Sequence, residues 1–172
     1  MVKPLIYFDS CIWIGMITAE RRLDSSETAA MAGLVNQLDQ KEIIVVSSSL
    51  INSEVLEADM TEQQKTVFQC VVQRKSVVQL KDPNPEIMQI SAKIRNYYKE
   101  IKNNNPKAHK APSVPDTIHI ATAIYFECDE FFTLDKNNKP DGCGLLNLES
   151  PIAGEYDLKI VKPHVRQAGL SL

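Results

Sequence analysis

Apolar and polar positions along the chain alternate between short β-like runs and longer stretches with a helical period. Pro4-Leu5-Ile6-Tyr7-Phe8 is a brief apolar run closed by Asp9 and reads as a buried strand. The apolar stretch from Cys11 to Ile17 follows at once, so the boundary falls at Asp9-Ser10, both good helix N-caps. Met31, Leu34, Val35 and Leu38 predict a helix over 26–39 opened by Ser25 or Ser26. Residues 42–47, with four consecutive aliphatic residues, predict a second strand. Ser48 and Ser49 then offer caps for a helix carrying Leu50, Ile51, Glu54, Val55 and Ala58. Thr61-x-x-Gln64 resembles a capping box for a helix to about 72. Residues 76–80 predict a third strand, and Ile87, Ile90, Ile94, Tyr97, Tyr98 and Ile101 lie at helical spacing after Pro83-Asn84-Pro85. Residues 103–112, with two prolines and three asparagines, predict a loop. A helix over about 114–126, a strand at 131–133 and another at 158–162 complete the pattern.

Strands alternating with helices imply βαβ units: an α/β fold, a three-layer α/β/α sandwich around a mainly parallel sheet of about five strands. The length of 172 residues predicts one domain over the whole chain, with an insert loop at about 103–112 and a C-terminal extension at about 150–172. No apolar run approaches a membrane span, and the N-terminus reaches Asp9 too soon for a signal peptide. Cys11, Cys70, Cys128 and Cys143 show no paired spacing, which excludes a zinc ribbon or disulfide framework and predicts reduced thiols in a cytoplasm. The net charge of −3 excludes a protein that coats nucleic acid by bulk positive field, yet residues 93–110 hold six basic residues against Glu100.

Ligands of open α/β sheets bind beyond the carboxyl ends of the strands. Four acids are expected there. Asp9 ends the first strand, Glu54 follows the second, Asp116 opens the helix before the fourth strand, and Asp135 follows that strand. Singly they read as a cap, a solvated helix position, a partner for a helix dipole and a turn residue. Gathered at one edge they would repel one another unless a hard divalent cation, Mg²⁺ or Mn²⁺, takes their oxygens, with at least three of them within reach of one ion.

In order, Ile6-Tyr7-Phe8-Asp9-Ser10, residues 47–54 ending in Glu54, Pro115-Asp116 with Ala121 and Ala123, and Phe131-Phe132-Thr133-Leu134-Asp135 resemble the PIN domain pattern. The resemblance covers residues 5 to about 137. It implies a Mg²⁺- or Mn²⁺-dependent ribonuclease, many such proteins being toxins of toxin–antitoxin pairs. It makes Asp9, Glu54, Asp116 and Asp135 the metal ligands and catalytic acids, with Ser10 and Thr133 supporting them. RNA is the implied substrate. A small antitoxin protein and a second copy of the chain are the partner classes the family admits. A PIN-like module that has lost activity and binds RNA or protein is the alternative; such modules tend to lose an acid, whereas this chain keeps four.

The basic segment supplies candidate phosphate contacts in Lys99, Lys102, Lys107, His109 and Lys110, which acids alone could not provide. Lys159, Lys162 and Arg166 compete with them. Tyr97 and Tyr98 are at positions that suit either base stacking or packing onto the sheet. His119, three residues past Asp116, either approaches the acids or bonds locally, and Cys11 beside Ile12 and Trp13 reads as a buried, inert thiol. Other Asp-based chemistries do not fit. A haloacid-dehalogenase-type phosphatase wants an Asp where Cys11 stands, a receiver domain wants an acidic pair near the first strand, and a dinucleotide fold wants glycines after it.

Overall fold

The structure, a computed structural model, describes residues 2–18, 23–136 and 143–165. Strands β1 (Leu5–Phe8), β2 (Ile44–Ser48), β3 (Val78–Lys81), β4 (Glu130–Phe132) and β5 (Lys159–Val161) form one sheet in the order β3-β2-β1-β4-β5. Every neighbouring pair is parallel, with Ile6 registered between Val45 and Glu130. Parallel neighbours cannot be joined by a tight hairpin, so helices carry most of the crossovers. These are α1 (Ser10–Thr18), α2 (Ser25–Asp39), α3 (Ile51–Glu57), α4 (Glu62–Val72), α5 (Pro85–Asn104) and α6 (Val114–Tyr125).

The two-residue repeat of a strand sends alternate side chains to opposite faces, and both faces are covered. Ile6, Phe8, Val45 and Phe132 pack with Trp13, Leu34, Val55 and Phe68 of α1–α4. Tyr7, Val46 and Phe131 face the other way, onto Ile94 of α5, Ile120 and Ala123 of α6, and Leu145, Ile152 and Leu158 of the segment leading into β5. The result is the expected α/β/α sandwich with β1 in the middle, and the sheet is wholly parallel. Residues 150–158 are part of this second layer, with Ile152 and Leu158 buried.

Helix starts differ in detail from the sequence reading. Asp24, not Ser25 or Ser26, caps α2, because only Asp24 has Glu27 three residues on to complete a capping box. Helix α3 has no side-chain cap at its N-terminus: Leu50 is the cap residue, and Ser48 Oγ accepts only a long 3.4 Å bond from Leu50 N. The capping box of Thr61 and Gln64 forms as expected. Helix α5 runs to Asn104, two residues into the stretch expected as loop.

Candidate metal centre

Asp9 follows the central strand, flanked by β2 and β4, so it sits where the sheet's two halves meet. Its carboxylate is buried and held on both oxygens. Oδ1 accepts from its neighbour's backbone, Ser10 N, at 2.8 Å. Oδ2 accepts from Thr133 Oγ1 at 2.8 Å and from the Cys11 thiol at 3.3 Å. The Thr133 hydroxyl in turn accepts from Asp135 N at 3.1 Å, which ties the acid after β1 to the acid after β4 through one buried side chain. Ser10 thus supports Asp9 through its amide, and Cys11 takes a supporting place that the sequence had not suggested. Burial and the Asp9 charge push the Cys11 thiol well above its ordinary pKa, so it stays a protonated donor.

Glu54 comes from the first turn of α3, at the carboxyl end of β2. Its Oε2 lies 2.8 Å from Nε2 of His119, a fully buried residue of α6. On the other side of the ring, Nδ1 lies 2.6 Å from Tyr7 Oη, and that oxygen accepts from Ser48 N at 2.7 Å. Burial is the largest influence on His119 and opposes charge, but the Glu54 hydrogen bond and the charges of Asp9, Glu54 and Asp116 together hold its pKa above the ordinary value. The hydrogen-bond count pulls the other way. Protonated at both nitrogens, the ring would put a second donor on Tyr7 Oη and leave the phenol proton unpaired, so the neutral ring fits the buried geometry better.

Asp116 stands in the first turn of α6, where Ser113 caps the helix and Asp116 Oδ2 accepts from Ser113 N at 3.0 Å. Asp135 Oδ2 accepts from Leu145 N at 3.0 Å. Burial first, then the charges of Asp116 and Asp135, push the Cys143 thiol up to about 11. Among the described residues no three acidic, imidazole or thiol groups stand close enough to form a ready cage. The expected grouping of at least three acids within reach of one ion is not formed as these side chains stand. Each carboxylate is turned toward a donor of the protein, which keeps like charges apart.

The fold on which this edge is built has close counterparts among solved structures. A chain of VapBC2 from Rickettsia felis, solved bound to a DNA fragment from its promoter, superposes with a TM-score of 0.54 at 14% identity, covering 75% of this chain and 86% of that one. VapC20 of Mycobacterium tuberculosis, a toxin that cleaves the sarcin–ricin loop, gives 0.50 at 12% identity over 77% and 91%. A chain of FitAB bound to a DNA fragment gives 0.54 at 14% identity over 95% and 99%. The chain has a PIN-like fold. At these identities the likeness is one of fold alone. No protein-family model matches the sequence, and no curated protein is significantly similar to it.

Within the PIN-like fold the basic segment lies on the acids' side. Helix α5 packs antiparallel to α6: Ser91 Oγ donates to Thr117 Oγ1 at 2.8 Å and Arg95 Nε to Pro112 O at 3.3 Å. Everything after Arg95 therefore projects past the N-terminus of α6, where Asp116 stands. Lys99, Lys107, His109 and Lys110 are exposed there. Lys102 is not available in the same way, because its ammonium donates at 2.6 Å to both Pro106 O and Ala108 O and folds the loop back on the helix. Tyr98 is a packing residue whose hydroxyl accepts from Ala153 N, and Tyr97 stacks edge-on against it. Of the competing cations, Lys162 is paired with Glu27, Lys159 is exposed on β5, and Arg166 lies outside the described residues. Lys136, next to Asp135, is paired with the same buried Glu27. Tyr7, Ser48 and Cys11 are the site-supporting residues that sequence reasoning missed. A phenol in an apolar strand two residues before Asp9 was the available signal, since a buried Tyr hydroxyl must find a partner.

Proposed function

We propose that this chain is a ribonuclease of the PIN type that hydrolyses RNA phosphodiester bonds with Mg²⁺ or Mn²⁺ held by Asp9, Glu54, Asp116 and Asp135. The observation that carries the reading is the placement of Asp9 directly after the central strand and of Glu54 and Asp116 in the first turns of α3 and α6, at the carboxyl edge of a parallel sheet. The donor set fits such an ion in its chemistry, being all carboxylate oxygen, and with no three of the acids caged together as they stand the ion would keep several waters. When bound, a divalent cation supplies charge neutralisation at the phosphate and acidifies water. The chain's own residues do the rest. Thr133, Cys11 and Ser10 N hold Asp9 in one orientation, so that no reorganisation accompanies substrate binding. His119 fixes Glu54, and the α6 N-terminus fixes Asp116. Lys99, Lys107 and Lys110 take flanking phosphates of the strand.

A toxin role with a small antitoxin protein as partner, in the cytoplasm, is the biological setting this reading favours. It is supported by VapC20's description as a toxin and by the solution of two likenesses as VapBC2 and FitAB on DNA. Among the described residues no helix is long and apolar enough to cross a membrane. Incubating the protein with single-stranded RNA in Mn²⁺, and in EDTA, tests the chemistry. Cleavage in Mn²⁺ alone, lost in Asp116→Asn, is expected. Equal cleavage by that variant, or in EDTA, would overturn the proposal.

A further inference from the structure

The chain Ser48–Tyr7–His119–Glu54 joins four elements, β2, β1, α6 and α3, through buried or half-buried groups, and its donors and acceptors can be assigned one by one. Ser48 N–H can only donate, so Tyr7 Oη accepts from it at 2.7 Å. A phenol in this fully buried position carries its proton at neutral pH. Among the described residues that proton has one acceptor, His119 Nδ1 at 2.6 Å. Nδ1 is therefore the bare nitrogen, and the ring proton sits on Nε2, directed at Glu54 Oε2 at 2.8 Å. Glu54 Oε1 has no hydrogen-bond partner among the described residues.

We infer that His119 is a positioning residue for Glu54: Tyr7 locks the ring in its Nε2–H form, and the ring occupies Oε2 so that Glu54 offers Oε1 to the cation. The inference rests on the metal-site reading above and assigns a role to a residue outside the four acids. Its physical basis is general. A ligand held by a fixed outer partner loses less freedom on binding a metal, and removal of such partners costs ~10–100-fold in affinity. His119 is itself fully buried and engaged at both ring nitrogens, so the ring is held at two points.

Two measurements test it. Nitrogen-15 spectra of the imidazoles in metal-free protein should show His119 with its proton on Nε2, and Tyr7→Phe should release a mixture of both forms. Calorimetric titration with Mn²⁺ should show His119→Leu binding ~10–100-fold more weakly than wild type. His119→Gln should stay close to wild type, because its amide can accept from Tyr7 and donate to Glu54. A proton on Nδ1 in the wild type overturns the inference even if the leucine variant fails to fold. So does a folded His119→Leu that binds Mn²⁺ as well as wild type. In that second case, wild-type binding that Asp116→Asn abolishes would leave the metal-site reading standing. Absence of Mn²⁺ binding by the wild type would bring both down.

Discussion

Replacing Thr133 by Val keeps the shape of a fully buried side chain and removes its hydroxyl alone. In the structure that hydroxyl donates to the Asp9 carboxylate at 2.8 Å and accepts from Asp135 N at 3.1 Å. A hydrogen bond to a charged acceptor contributes ~1.5–3 kcal/mol, and an N–H left unpaired costs ~1–3 kcal/mol. The Asp135 amide is only partly buried, so its share belongs at the low end, and the Cys11 thiol remains as a donor to the same Asp9 oxygen. The expected loss is about 2–4 kcal/mol. For a chain of this size that corresponds to a fall in Tm of about 5–15 °C. Urea unfolding at neutral pH should show a lower midpoint with the slope unchanged, because the surface exposed on unfolding is the same. Thr133→Ser, which keeps the hydroxyl, should recover most of the loss. A valine variant within about 0.5 kcal/mol of wild type would mean that the hydroxyl does not hold Asp9, and the account of how the site is fixed would fail.

Glu27 provides a second test, through pH. The Lys136 hydrogen bond, against burial and with help from the α2 cap and Lys162, lowers its pKa below the ordinary glutamate value. A lowered carboxylate pKa stabilises the fold above the unfolded value of about 4.3 and loses that contribution as pH falls through the folded value. Wild type should therefore exceed Glu27→Gln in urea midpoint at pH 7, with the gap closing on acidification below about pH 4; a gap independent of pH would refute the assignment. For the basic segment, neutralising Lys99, Lys107 and Lys110 together should weaken single-stranded RNA binding and flatten its log–log salt dependence by about 0.7 per lost contact. An unchanged slope in that variant, with a flattened one in Lys159→Gln, would move the RNA path to the β5 edge.

The acids were legible in the sequence because topology does the placing. Once strands and helices alternate, any carboxylate just after a strand or just inside the next helix is carried to the same edge, so Asp9, Glu54, Asp116 and Asp135 could be assigned to that edge without coordinates. Their supports were not legible. Tyr7 and Ser48 lie on strands that read as apolar packing, and their meeting with His119 depends on how β1 lies against β2 and on the α6 face that covers them. Caps were legible in part. The Asp24-Ser25-Ser26 run offers three candidates, and Glu27 selects the first. Lys102 shows the limit of charge counting, since a lysine followed by a loop rich in turn residues found backbone carbonyls close by.

Because β1 lies at the centre of the sheet, its two neighbours are unequal in time as well as in space. Ile6 pairs with Val45 on one side and with Glu130 on the other, and the Thr133 hydroxyl that fixes Asp9 is 124 residues further along the chain. During synthesis β1 can pair with β2, and β2 with β3, early, but the other side of β1 stays an open edge until β4 leaves the ribosome. Pairings of that separation form late, after the entropy of closing a long loop has been met. A nascent chain that has reached Lys110 thus contains Asp9 and Glu54 but lacks Asp116, His119 and Thr133. The edge that carries the four acids is completed only when the last third of the chain has docked, so an unfinished polypeptide cannot bring them together.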